Sequence, residues 1–142
     1  MKAIAVGKSI EISKKNSVEI CSFIRGKTSE KGKRILERVL EKKTAVPYKK
    51  FNRHVAHKPG KIAAGRYPIN AAAAILNLLK TAEANAEVKG MSQPFVIKEI
   101  IANQGVRSWH PGRQRRRKTK STHLKITLES AEQKETKKQE KK

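Results

Sequence analysis

The chain has 142 residues, a formal net charge of +22, aromatic residues at only 4% and a single cysteine. Length favours one domain with appendages, and the composition excludes an intramolecular disulfide and, lacking any apolar run of about 18 residues, a transmembrane helix. Charge of this size points to polyanionic partners, either nucleic acid or an anionic membrane surface.

The start, MKAIAVGKSIEI, is too short and too interrupted for a signal peptide. IAVGKSIEI (4–12) alternates, which predicts a first strand with Ile4, Val6, Ile10 and Ile12 on one side. Gly7-Lys8-Ser9 resembles the end of a phosphate-binding loop, but that motif needs a glycine at position 2, where Lys2 stands, and a strand before it. Ser13 is placed to cap a helix running to about Arg25, with Val18, Cys21 and Ile24 on its buried stripe and Gly26 as its stop. Cys21 then reads as a buried, inert thiol, compatible with a reducing compartment. After a very short turn, Thr28 or Ser29 caps a second helix to about Lys43, burying Ile35, Leu36, Val39 and Leu40.

Residues 44–68 show no period. A loop of that length is too long for a self-contained small domain, so the expectation is that something outside the chain orders it. Pro68 suits the first turn of a third helix over 69–90, the strongest helix of the sequence, with Ile75, Leu78, Leu79, Ala82 and Ala86 at helical spacing. Its Glu83 and Glu87 are expected on a solvated face, pairing with Lys80. Two strands follow, 95–102 and 123–129. In the second, Leu124, Ile126 and Leu128 face one way and Lys125, Thr127 and Glu129 the other. Residues 130–142 form a charged tail, disordered when alone.

The fold class expected is α+β: a small three-stranded antiparallel sheet packed with three helices, one long β-hairpin extending from the body. Residues 1–129 make one domain carrying a basic loop at 44–68 and the hairpin at 103–122. The hairpin arms hold about ten residues each and could reach on the order of 30 Å at full extension.

Both irregular segments are basic and free of acid. The loop carries Lys49, Lys50, Arg53, His54, His57, Lys58, Lys61 and Arg66. The hairpin carries Arg107, Trp109, His110, Arg113, Arg115, Arg116, Arg117, Lys118 and Lys120. Arginine predominates in the hairpin and offers bidentate phosphate bonding and base stacking. Trp109 and His110 can stack on an unpaired base. The combination points to RNA, without specifying a sequence. A solvated loop or a localisation-type basic patch is the bland alternative.

The spacing His54-x-x-His57 suits a metal, but cationic flanks would repel the ion, so no metal site is expected. No grouping of nucleophile, base and orienting residue suggests an enzyme, and no cofactor is implied. A free-standing nucleic-acid binder remains a competing class. Membrane activity is disfavoured because the cations are non-periodic rather than on an amphipathic helix.

The stretch GRYPINAAAAILNLLKTAEANAEVKG (65–90) closely resembles the twenty-second large-subunit ribosomal protein family in its archaeal and eukaryotic form. The resemblance is carried by Gly65-Arg66-Tyr67-Pro68, the Ala-rich helix, Leu78-Leu79, and Ala82 to Glu87 followed by Lys89-Gly90. KKTAVPYKKFN (42–52) is similar to the family's run before the basic loop, and the likeness covers about residues 4–129. It implies a structural component of the large subunit that binds large-subunit ribosomal RNA beside neighbouring subunit proteins. It further implies a body near the tunnel exit and a hairpin tip on the exit-tunnel wall, within reach of the nascent polypeptide. No membrane association and no homo-oligomer are expected. The hairpin departs from the family's Arg-Ala-x-Gly-Arg run, with Pro111-Gly112-Arg113-Gln114-Arg115 in its place. Trp109 to Arg113 are expected at the tip, and Arg115 to Lys120 along one phosphate-gripping arm.

Overall fold

The structure, a computed structural model, describes residues 1–113 and 116–131. Arg115 and the tail from residue 132, for which sequence expectations exist, lie outside the described residues. The architecture is α+β. Strands β1 (Lys2–Ile10), β4 (Phe95–Gln104) and β5 (Thr122–Ser130) form an antiparallel sheet in the order β1-β5-β4. Helices α1 (Lys14–Ile24) and α3 (Ile69–Val88) lie on the sheet, and α2 (Ser29–Leu40) packs on α3. A second, two-stranded ladder joins β2 (Val46–Pro47) to β3 (Gly65–Arg66).

The register explains the core. Ala3, Leu128 and Ile97 form one cross-strand row, Ala5, Ile126 and Ile100 the next, and Gly7, Leu124 and Ala102 the third. Because side chains alternate between sheet faces, these rows all point at the helices. They meet Ile20 and Ile24 of α1 and Ile75, Leu79 and Ala82 of α3, all buried.

The first strand corrects the sequence reading. Ala3 and Ala5 are buried, whereas Ile4 and Val6 are 43% and 53% exposed on the uncovered face. A period of two fixes which residues share a side, but not which side faces inward. Here the helix decides. Small residues on β1 let the Ala-rich α3 approach, and Leu78 comes to within van der Waals reach of Gly7. A bulge between Gly7 and Ile10, with Ser9 at φ 51°, then shifts the phase. Ile12 is therefore buried and Ile10 packs on the core, so the four residues do not share a side.

Ser13 and Thr28 occupy the N-cap positions of α1 and α2, but neither hydroxyl makes a capping bond. Val18 lies at the margin of the α1 stripe, which Ser17, Ile20, Cys21 and Ile24 occupy instead. Glu83 does not pair with Lys80. It faces α2, where it accepts from the Ser29 hydroxyl and from Lys33 Nζ at 2.8 Å.

Both sheet edges are covered. Gly26 N–H donates to Ile97 O at 2.9 Å, and Ile97 N–H donates to Lys27 O at 2.9 Å. On the other side, Asn85 of α3 and Lys89, its C-cap residue, donate to the carbonyls of Ile4 and Lys2. Covered edges blunt pairing with another chain.

Two outcomes follow from this packing. Ala5→Leu should overpack the α3 contact and cost about 1–3 kcal/mol in urea unfolding, while Ile4→Thr should stay within about 0.5 kcal/mol. Burial, opposed by Arg25, pushes the Cys21 thiol up to about 12. At pH 8 it should therefore resist thiol reagents in the native protein and react in full only on unfolding, since the thiolate is the nucleophile.

Candidate nucleic-acid interface

The basic loop is ordered by its own chain, contrary to the sequence expectation. β2 and β3 clamp its two ends, and Tyr48 N–H donates to Ala64 O at 2.9 Å. Further along, His57 bridges Ala64 and Lys58 N–H donates to Ala63 O at 3.0 Å. Val46, Tyr48 and Ala64 are buried and root the loop in the core.

A carboxylate completes the order. Glu19 on α1 is only 2% exposed. It accepts the backbone N–H groups of Lys49, Lys50 and Phe51 at 3.0, 2.9 and 2.6 Å. One turn earlier on the same helix, Asn16 Oδ1 accepts from the Tyr48 hydroxyl at 3.0 Å. Burial raises the Tyr48 hydroxyl above its ordinary value, with Arg66 opposing the shift and Glu19 adding to it. The sequence reading missed both Asn16 and Glu19. The available signal was an acidic residue on the first helix, at a position flanked by apolar ones, with an acid-free loop downstream.

With the backbone donors turned inward, the loop's cations face out. Lys49, Lys50, Arg53, His54, His57, Lys61 and Arg66 are exposed. Lys58 is half-buried, its ammonium 5.6 Å from the Tyr67 ring centroid.

The hairpin begins where Gln104 pairs with Thr122. Gly105 N–H donates to Ser121 O at 3.0 Å, Thr119 N–H to Ser108 O at 2.9 Å, and His110 N–H to Arg117 O at 2.9 Å. Val106 and Arg107 on one arm thus oppose Lys120 alone on the other, a bulge that re-aims the outer arm. Trp109 stands opposite Lys118, whose ammonium sits 4.3 Å from the indole centroid. Trp109 is 57% exposed.

Trp109 and His110 therefore lie on the arm, not at the tip. Pro111, Gly112 and Arg113 follow the His110–Arg117 bond, with Gly112 at φ 90°. The paired part of the arm, from residue 104 to 110, spans about 20 Å. Arg107, Arg113, Arg116, Arg117, Lys118 and Lys120 are all exposed.

Two clefts connect the hairpin arm to Tyr67 and Pro68, where the loop ends, whereas Lys49 lines a separate one with Phe23 and Lys27. A cleft of about 490 Å³ runs between Glu11 and the arm carrying His110, Arg117, Lys118 and Lys120. A second, of about 360 Å³, shares Glu11 and Lys120 and continues to Asn16, Tyr67 and Asn70 at the starts of α1 and α3.

Among the described residues, Glu129 pairs with Lys2 and Lys98, Glu83 with Lys33, Glu99 with Lys125 and Glu41 with Lys43. No loop or hairpin cation takes part in an ion pair with a carboxylate among these residues. Glu30, Glu83 and Glu87 gather around a small cavity against Phe95, at the end of the sheet opposite the hairpin.

This is a small α+β protein whose loop and hairpin cations are exposed and carry no ion pair among the described residues, although Glu11 lines the clefts beside the hairpin arm, a charge layout that favours polyanionic partners. Residues 5–129 match the family described as ribosomal protein L22p/L17e, and the chain belongs to that family. It is 44% identical over 137 residues to the large ribosomal subunit protein uL22 of Methanosphaera stadtmanae, covering 91% of this chain and 89% of that one. The uL22 proteins of Methanopyrus kandleri and Methanococcus aeolicus are 41% and 38% identical, over 86% and 89% of this chain and 82% and 88% of theirs.

The hairpin root supplies a test. A Cβ at Gly105 would collide with the buried Ser121 Oγ. Gly105→Ala should open the root bond, cost about 1–3 kcal/mol, and speed amide exchange at position 105 while leaving the β1–β5 amides protected.

Proposed function

We propose that the chain is a structural constituent of the large ribosomal subunit in the cytoplasm. It binds large-subunit ribosomal RNA through the loop and the hairpin and packs beside neighbouring subunit proteins. The hairpin extends towards the polypeptide exit tunnel, with its turn near the nascent chain. One observation carries this: in a member of the L22p/L17e family, the cations of loop and hairpin are largely exposed and make no ion pair with a carboxylate among the described residues.

The contacts follow from chemistry. Arg53, Arg66, Arg107, Arg113, Arg116 and Arg117 offer forked donors to phosphate oxygens, and the lysines offer point charges. Lys118 covers one face of Trp109 and leaves the other to stack on an unpaired base. The role is structural rather than catalytic. Glu19, Glu83 and Glu129 are committed to hydrogen bonds and ion pairs that hold the fold.

RNA binding should weaken steeply with salt, because each neutralised phosphate releases counterions. Arg116→Gln with Arg117→Gln should lower affinity for large-subunit ribosomal RNA about tenfold and reduce the salt slope by roughly 1–2. Lys31→Gln, on the exposed face of α2, should change neither. Filter binding across a salt series measures both quantities. Equal losses for the two variants would remove the assigned interface.

A further inference from the structure

Glu19 is a buried ionisable group that RNA binding, as described so far, leaves unused. We propose that Glu19 is a positioning residue for RNA binding: its carboxylate holds the backbone of Lys49, Lys50 and Phe51 so that the loop's cations are arrayed outward before RNA arrives. The inference rests on the function proposed above and names the device that prepares one of its two RNA-binding segments.

The geometry demands a carboxylate. Glu19 is 2% exposed and sits on a helix face otherwise committed to the core. A buried charge must be hydrogen-bonded to be tolerated. Its partners are three successive backbone N–H groups at 2.6–3.0 Å, one oxygen taking two of them and the other taking one. A carboxylate can accept all three with no donor of its own to misplace. Glutamine has the same shape but would set an NH2 group against N–H donors.

The consequence for function is conformational. Fixing the loop on α1 turns the 49–51 donors inward and leaves the Lys49 and Lys50 side chains exposed. Ordering costs that would otherwise fall on association are met during folding, so the loop binds as a prepared surface. Asn52, at φ 52°, then starts the segment that carries Arg53. Asn16 and Tyr48 brace the same segment from one helical turn away.

The test uses the full chain and a transcript of large-subunit ribosomal RNA. In the free protein, Glu19→Gln should accelerate amide exchange at Lys49, Lys50 and Phe51 at least tenfold while the β4 and β5 amides keep their protection. Its affinity for the transcript should fall about tenfold although no cation has been removed. The double variant Lys49→Ala with Lys50→Ala should show the reverse pattern, with amides protected and affinity reduced. Glu19→Asp, which keeps the charge but withdraws it by one methylene, should fall between wild type and Glu19→Gln. It carries the test if Glu19→Gln fails to fold. Unchanged loop amides or unchanged affinity in a folded Glu19 variant would overturn the proposal. If the wild-type chain itself binds the transcript no better than unrelated RNA, the function proposed above fails and takes the positioning role with it. The loop amides of the free protein would then report a purely structural clamp, so the two failures are distinguishable.

Discussion

Thirty-four cationic side chains share this chain with twelve carboxylates, and where those few negative charges are placed shapes the rest of the structure. A body made only of like charges would repel itself apart. The protein answers by placing carboxylates where elements must be joined. Glu83 ties α3 to α2, Glu129 holds Lys2 and Lys98 across all three strands of the main sheet, and Glu19 ties the basic loop to α1. What is left over is cationic, largely exposed and concentrated in the loop and the hairpin. That excess is carried on side chains that face solvent, and RNA is the partner proposed to relieve it.

The two basic segments are prepared differently. The loop is tied down by a buried carboxylate, a tyrosine hydroxyl and a short β-ladder. The hairpin continues the β4–β5 ladder through sparse cross-arm bonds, with a bulge above its glycine root. A surface ordered in advance lowers the ordering cost of the RNA binding proposed above.

Much of this was legible in the sequence, and the omissions have physical causes. The helix at 69–88 and the strands β4 and β5 were readable because their apolar residues repeat at the period of the element. The inward face of β1 was not. Ile4 and Val6 are larger than Ala3 and Ala5, and only the close approach of an Ala-rich helix explains why the small residues go inside. Nor was the order of residues 44–68, which depends on Glu19, about thirty residues away in sequence. Long-range side-chain-to-backbone bonds leave no periodic trace. The candidate cations were visible as acid-free runs, but the clefts that flank the hairpin arm, lined by Glu11 and by residues at the starts of α1 and α3, required the assembled fold.

The most direct test of this division of charge is to acylate the lysines of the chain, free and within isolated large subunits, and to compare reactivity residue by residue. Lys49, Lys50, Lys61, Lys118 and Lys120 should react readily in the free protein and become protected in the particle. Lys2 and Lys31, at the opposite end, should react similarly in both. Protection spread evenly over both ends, or confined to Lys2 and Lys31, would contradict the account.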